Sequence, residues 1–133
     1  MKRLILLGII STIFFYSCQK DDTIYQSYFW TPLDSSNVQL DLYIDGQFKG
    51  PVPFLTQNPD CNNDSSLIGL TPVPLKLGTY DIQVKDEQGN TQFSARMKIK
   101  KGGAITVTEI AGELNLNMYG DYDCFYFEMV AED

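Results

Sequence analysis

Apolar residues in this chain recur mostly at every second position, the spacing of half-buried strands. Val38, Leu40, Leu42 and Ile44 alternate with Gln39, Asp41 and Tyr43, giving one apolar and one wet face. Asp45-Gly46 follows, a pair suited to a type I′ turn, which needs positive φ at both central residues. Gln47-Phe48-Lys49 then returns until Gly50-Pro51 stops it, and Val52, Phe54 and Leu55 continue as an edge segment. Further along, the spacing predicts a short strand near Leu75 to Leu77, with Gly78-Thr79 turning the chain. Alternation is clean through Tyr80, Ile82 and Val84, and through Phe93, Ala95, Met97 and Ile99 with Ser94, Arg96, Lys98 and Lys100 opposite. It resumes at Ile105 and Val107, with Thr106 and Thr108 outward, and again at Leu114, Leu116 and Met118. Asp86 to Asn90, Gly102-Gly103, Ala111-Gly112 and Gly120-Asp121 are the intervening turns. Tyr122 to Val130 is dense in aromatics and predicts a strand buried partly on both faces. Thr56 to Ser66 keeps no apolar period and reads as a loop, and no segment carries a sustained helical period. About seven short strands with closely spaced turns predict an all-β fold, a single antiparallel β-sandwich.

The front of the chain breaks this rhythm. Leu4 to Tyr16 is almost continuously apolar, preceded by Lys2 and Arg3 and followed by Ser17, Cys18 and an abruptly polar stretch. A basic start, an apolar run and a small residue at the cut are the layout of a secretory signal. The run is also shorter than the roughly 20 residues a spanning helix needs. Phe15-Tyr16-Ser17-Cys18 resembles a bacterial lipobox, with Phe15 and Tyr16 bulkier than the usual residues. The resemblance implies cleavage before Cys18 and acylation of its thiol and amine. At about 0.8 kcal/mol per buried CH₂, more than one chain gives stable attachment. Gln19-Lys20-Asp21-Asp22 resembles the short acidic export signal of Bacteroidota surface lipoproteins. The implied layout is a signal peptide at 1–17, a lipidated cysteine, tether and first strand at 18–36, and a β-sandwich domain at 37–133. The implied location is the outer membrane, lipid-anchored, at the cell surface.

Composition limits the partners. Seventeen acidic against ten basic residues give a formal charge of −7 in 133 residues. Such a domain repels phosphate backbones and anionic headgroups, so nucleic acid is not expected and a lipid anchor must supply the membrane affinity. Three cysteines form an odd set. With Cys18 lipidated, Cys61 and Cys124 are left either as a disulfide in an oxidising compartment or as two separate buried thiols.

A second resemblance spans residues 38 to 110. Leu42-Tyr43-Ile44-Asp45-Gly46, then Lys49-Gly50 and Pro53, then Leu77-Gly78-Thr79-Tyr80-Asp81-Ile82-Gln83-Val84, is similar to the PEGA-type β-sandwich module. The segment around Cys61 is an insertion relative to that pattern. The resemblance implies an immunoglobulin-like, extracytoplasmic accessory domain, and it implies no chemistry.

Catalytic constellations are sparse. The chain has no histidine, which excludes histidine triads and histidine zinc sites. Asp41 and Asp81 are candidates for a glycosidase-type carboxylate pair, against the background of acids on wet strand faces. Asp60, Asn62 and Asp64 carry the oxygen spacing that opens a calcium loop. Ser65 and Thr71 stand where that motif needs its glycine and glutamate. The sequence therefore predicts no enzyme, no cofactor and no metal. Ile24-Tyr25 and Tyr28-Phe29-Trp30 admit two readings, a first strand packed on the domain or an exposed platform in which Tyr25, Tyr28 and Trp30 stack on a ligand. Two functions follow: a binding or adhesion module for a glycan or protein, or a structural subunit of an envelope complex with its strand edge covered by a partner.

Overall fold

The computed structural model describes residues 22–34, 39–121 and 124–131. The expected signal peptide, Cys18, Gln19, Lys20 and Asp21 lie outside the described residues. The described chain forms β1 (Tyr25–Trp30), β2 (Asp41–Ile44), β3 (Gln47–Pro51), α1 (Asp64–Leu67), β4 (Val73–Leu75) and β5 (Gly78–Lys85). There follow β6 (Thr91–Ile99), β7 (Ile105–Gly112), β8 (Leu114–Asp121) and β9 (Cys124–Ala131). A four-stranded sheet in the order β4-β1-β9-β8 packs on a five-stranded sheet in the order β3-β2-β5-β6-β7. The fold is an all-β sandwich of nine described strands rather than about seven.

Local chemistry explains most of the elements. Asp45 and Gly46 take φ of 51° and 78°, the paired positive values of the I′ turn joining β2 to β3. Leu42 pairs with Gly50 and Tyr43 with Phe48, so Lys49 is an extra residue that bends edge strand β3 before Pro51 ends it. Asp86 locks the β5–β6 hairpin: its carboxylate accepts N–H bonds from Gln88 and Asn90 at 3.0 and 2.9 Å.

Four sequence expectations shift. The short strand is Val73–Leu75, because Val73 and Leu75 bury while Pro74 points out of an edge strand that tolerates it. Gly78 and Thr79 accordingly open β5, paired with Ile99 and Lys98, instead of turning the chain. The polar loop contains the one-turn helix α1, capped by Asn63, whose side chain accepts from the Ser65 N–H; one turn is too short to carry a period. Gly120 and Asp121 remain in β8, with Asp121 opposite Cys124, instead of turning the chain.

One pairing is parallel. β1 lies between β4 and β9, antiparallel to the first and parallel to the second, with Gln26 beside Cys124 and Trp30 beside Glu128. β1 is thus an inner strand of the sandwich, and the purely antiparallel expectation is corrected at this pair.

The core fills the space between the sheets. Ile82, Val84, Phe93 and Met97 meet Phe127 and Met129, all fully buried, and Phe29 stacks on Phe127 at 4.3 Å between ring centroids. At about 25 cal/mol per Å² of apolar surface, such burial is the main stabilising term. β7 passes to β8 in the other sheet through Gly112 and Glu113, and the Glu113 N–H donates to the Gln92 carbonyl at 2.9 Å. Gly112 has φ of 108°, and a Cβ there would collide with the Gln92 carbonyl.

A loop layer is fastened to the outside of the four-stranded sheet. Cys61 and Cys124 form a disulfide with Cα atoms 6.1 Å apart. Strand alternation puts Cys124 on the face of β9 that also carries Tyr126 and Glu128, opposite the core-facing Phe125 and Phe127. Trp30, Leu70 and Tyr126 are buried yet stand apart from the inter-sheet core. Thr31 ties the layer in: its N–H donates to Pro53 O, the Leu55 N–H donates to Thr31 O, and its hydroxyl donates to Met129 O.

Candidate ligand-binding face

The outer face of the five-stranded sheet is open. The alternation that sends Phe93, Ala95, Met97 and Ile99 inward on β6 sends Arg96 and Lys98 outward, and Lys100 continues the row. Pairing then sets two cross-strand rows. Lys98 lies between Thr79 of β5 and Thr106 of β7, and Arg96 lies between Asp81 and Thr108. Together Thr79, Arg96, Lys98, Lys100, Thr106 and Thr108 line a shallow groove of about 270 Å³.

Charge is unevenly distributed along this groove. The Arg96 Nε lies 3.4 Å from Asp81 Oδ1 and 3.7 Å from Glu109 Oε2, so two carboxylates neutralise that end. Exposed pairs of this kind contribute about 0–1 kcal/mol each, so their effect is on local potential rather than stability. Asp81 is held in place through β5, where its N–H donates to Asp45 Oδ1 at 2.8 Å. Glu109 reaches Arg96 because β7 bulges. Thr108 and Ala111 pair with Arg96 and Ser94, leaving Glu109 and Ile110 against one opposing residue, and Glu109 takes φ of 55°. At the other end, no ion pair among the described residues engages Lys98, Lys100 or Lys101. Residues 96–101 hold four of the ten basic side chains in a chain of net charge −7.

Of the two readings of the aromatic stretch, the packed first strand forms as β1 and the exposed platform does not. Tyr25 is 3% exposed and faces inward against Phe125, with ring centroids 5.5 Å apart, and Trp30 is 1% exposed. Neither can stack on a ligand, because both complete apolar layers that the strand alone could not cover. Tyr28 is half-buried and heads a cross-strand row of three tyrosines, Tyr28, Tyr126 and Tyr119. The Tyr119 hydroxyl donates to Glu128 Oε2 at 2.6 Å, and this bond raises the Tyr119 pKa above its ordinary value of 10.0.

The other candidates separate. Asp41 pairs across the strands with Lys85, and Asp81 with Arg96. Lys85 and Asp81 are four residues apart on β5, roughly 13 Å at strand rise, which is too far for a carboxylate pair to share one glycosidic bond. Asp60 spends one carboxylate oxygen on the Asn62 N–H at 3.0 Å, and no cluster of three or more metal-ligating acids or cysteines occurs among the described residues. Asp22 is exposed ahead of β1. The groove was absent from the aromatic and carboxylate patterns, although the density of positive charge at 96–101 beside Thr106 and Thr108 marks it. The chain matches no family model, no curated protein and no solved structure.

Proposed function

We propose that this chain is a lipid-anchored lipoprotein of the outer membrane, displayed at the cell surface, whose sandwich is a non-catalytic binding module. The lipid sits on Cys18, and Gln19, Lys20, Asp21 and Asp22 form the export signal. The reading of the domain as an immunoglobulin-like, PEGA-like module draws support from the Asp45-Gly46 hairpin and from the strand that begins at Gly78. The observation that carries the binding role is the open sheet face. Ile82 and Val84 of β5 and Phe93, Ala95, Met97 and Ile99 of β6 are committed to the core, while Lys98, Lys100 and three threonines line a groove toward solvent.

A second reading rests on a different surface. Edge strands β7 and β8 leave Ile110, Met118 and Tyr119 exposed, which fits a structural subunit whose edge is covered by an envelope partner. Replacing Cys18 with Ser tests the anchor: incorporation of labelled fatty acid into the variant removes the lipoprotein reading. Pull-down from intact cells separates the two roles. A bound glycan favours the module, and a stoichiometric outer-membrane protein without glycan favours the subunit.

A further inference from the structure

We propose that the Lys98–Lys100 end of the groove binds an acidic polysaccharide, with carboxylate or sulfate groups on the two ammonium groups and sugar hydroxyls on the flanking threonines. The inference rests on the binding-module reading and names its ligand class.

Charge gives the first argument. Lys98 near the end of β6 and Lys100 just beyond it are exposed, two positions apart, and have no acidic partner among the described residues. Two positions along a strand set roughly 6.6 Å between their Cα atoms, so the side chains engage two negative groups on a chain or one group together. Asp81 and Glu109 close the Arg96 end to an anion, which confines binding to Lys98, Lys100 and the turn beyond.

Hydrogen-bonding capacity gives the second. Thr79 and Thr106 stand on either side of Lys98, each hydroxyl able to donate once and accept twice. That pairing suits a ligand whose own groups are mostly hydroxyls. Among the described residues no aromatic side chain lines the groove, so nucleobases would find no stacking surface there. The net charge of −7 opposes the broad approach that duplex nucleic acid or an anionic bilayer requires, while a single glycan strand meets the basic row alone.

The test uses the full chain in detergent micelles, titrated with polygalacturonate, heparin, neutral dextran and duplex DNA. The expected result is binding to polygalacturonate or heparin, weakened by raised salt, with no binding to dextran. The double variant Lys98→Gln/Lys100→Gln should weaken it at least tenfold, and Lys98→Arg/Lys100→Arg should restore it to within about threefold. Lys49→Gln/Lys76→Gln makes the same charge change elsewhere and should leave affinity within twofold. Both lysine sites are on the surface, and matching urea midpoints confirm that the variants fold. No binding to either polyanionic glycan overturns the proposal, as does equal weakening in the Lys49/Lys76 variant. Equal or tighter binding of DNA also overturns it. A neutral glycan recovered from a glycan array with the same preparation overturns the acidic ligand and leaves the binding module standing, whereas failure of the Cys18 labelling bears on the anchor alone.

Discussion

Removing the disulfide with Cys61→Ser/Cys124→Ser should act twice, on the whole fold and on one layer of it. The bridge joins residues 63 apart in sequence. Closing a loop of that length in the unfolded chain is worth about 4 kcal/mol in the chain-entropy relation. Small domains have about 5–15 kcal/mol in total, so the loss is a large fraction. With a urea slope of about 2 kcal/mol/M, the unfolding midpoint should fall by about 2 M. The local effect has its own reporter, because Trp30 is the single tryptophan and is 1% exposed outside the inter-sheet core. Without the staple, the loop should lift at urea concentrations below global unfolding. Acrylamide quenching of Trp30 then rises while far-ultraviolet circular dichroism stays native. An unchanged midpoint would refute the entropic reasoning. A lowered midpoint with Trp30 equally protected until global unfolding would show that something other than the stapled segment covers it.

Ser27 is fully buried, and its hydroxyl has no partner among the described residues, so Ser27→Ala should stabilise the domain by about 1 kcal/mol in urea titration. Gly112→Ala should destabilise it by about 3 kcal/mol, since the added Cβ meets the Gln92 backbone at a left-handed φ, and soluble yield and thermal melts report the loss. Hydrogen bonds from Asn90 first, and from Gln88, hold the Asp86 carboxyl below its ordinary 3.8. Its contribution is therefore complete above that value and lost as pH falls through the lowered pKa. The stability gap between the wild type and Asp86→Asn should be open at neutral pH and close in strong acid, as pH-resolved melts would record.

The strands were legible where one face is wet. Phe93 to Ile99 and Leu40 to Ile44 announce their inward faces by alternation, and Asp45-Gly46 announces its turn by φ preference alone. Three features depend on distant residues and leave no such mark. Leu114 and Leu116 are buried, but Met118, next in the same alternation, is 41% exposed. Ile110 is turned out by the bulge at Glu109, which the pattern of β7 does not encode. Trp30 and Tyr126 are buried although they stand outside the inter-sheet core, so their sequence fits a platform as well as a buried position. For the candidate site, β6 alone shows the basic row. The neutralising Asp81 and Glu109 and the flanking Thr79 and Thr106 come from strands that only the pairing brings alongside.

The parallel pair has a consequence for the order in which the molecule assembles. β2, β3, β5, β6 and β7 join mainly near neighbours, and the β5–β6 and β6–β7 hairpins need only short closures. β1, by contrast, meets β9 across 98 residues, as Gln26 beside Cys124. Until β9 is made, β1 has only the three-residue ladder of β4 to hold it. Long closures cost entropy before any contact offsets it, which places such sheets among slow folders. The five-stranded sheet should therefore gain protection first, and pulsed hydrogen exchange should find the amides of β5 and β6 closed while those of β1 still exchange. A chain emerging amino end first would then carry its aromatic first strand without its β9 partner for almost the whole of its synthesis, the interval in which a chaperone has most to hold.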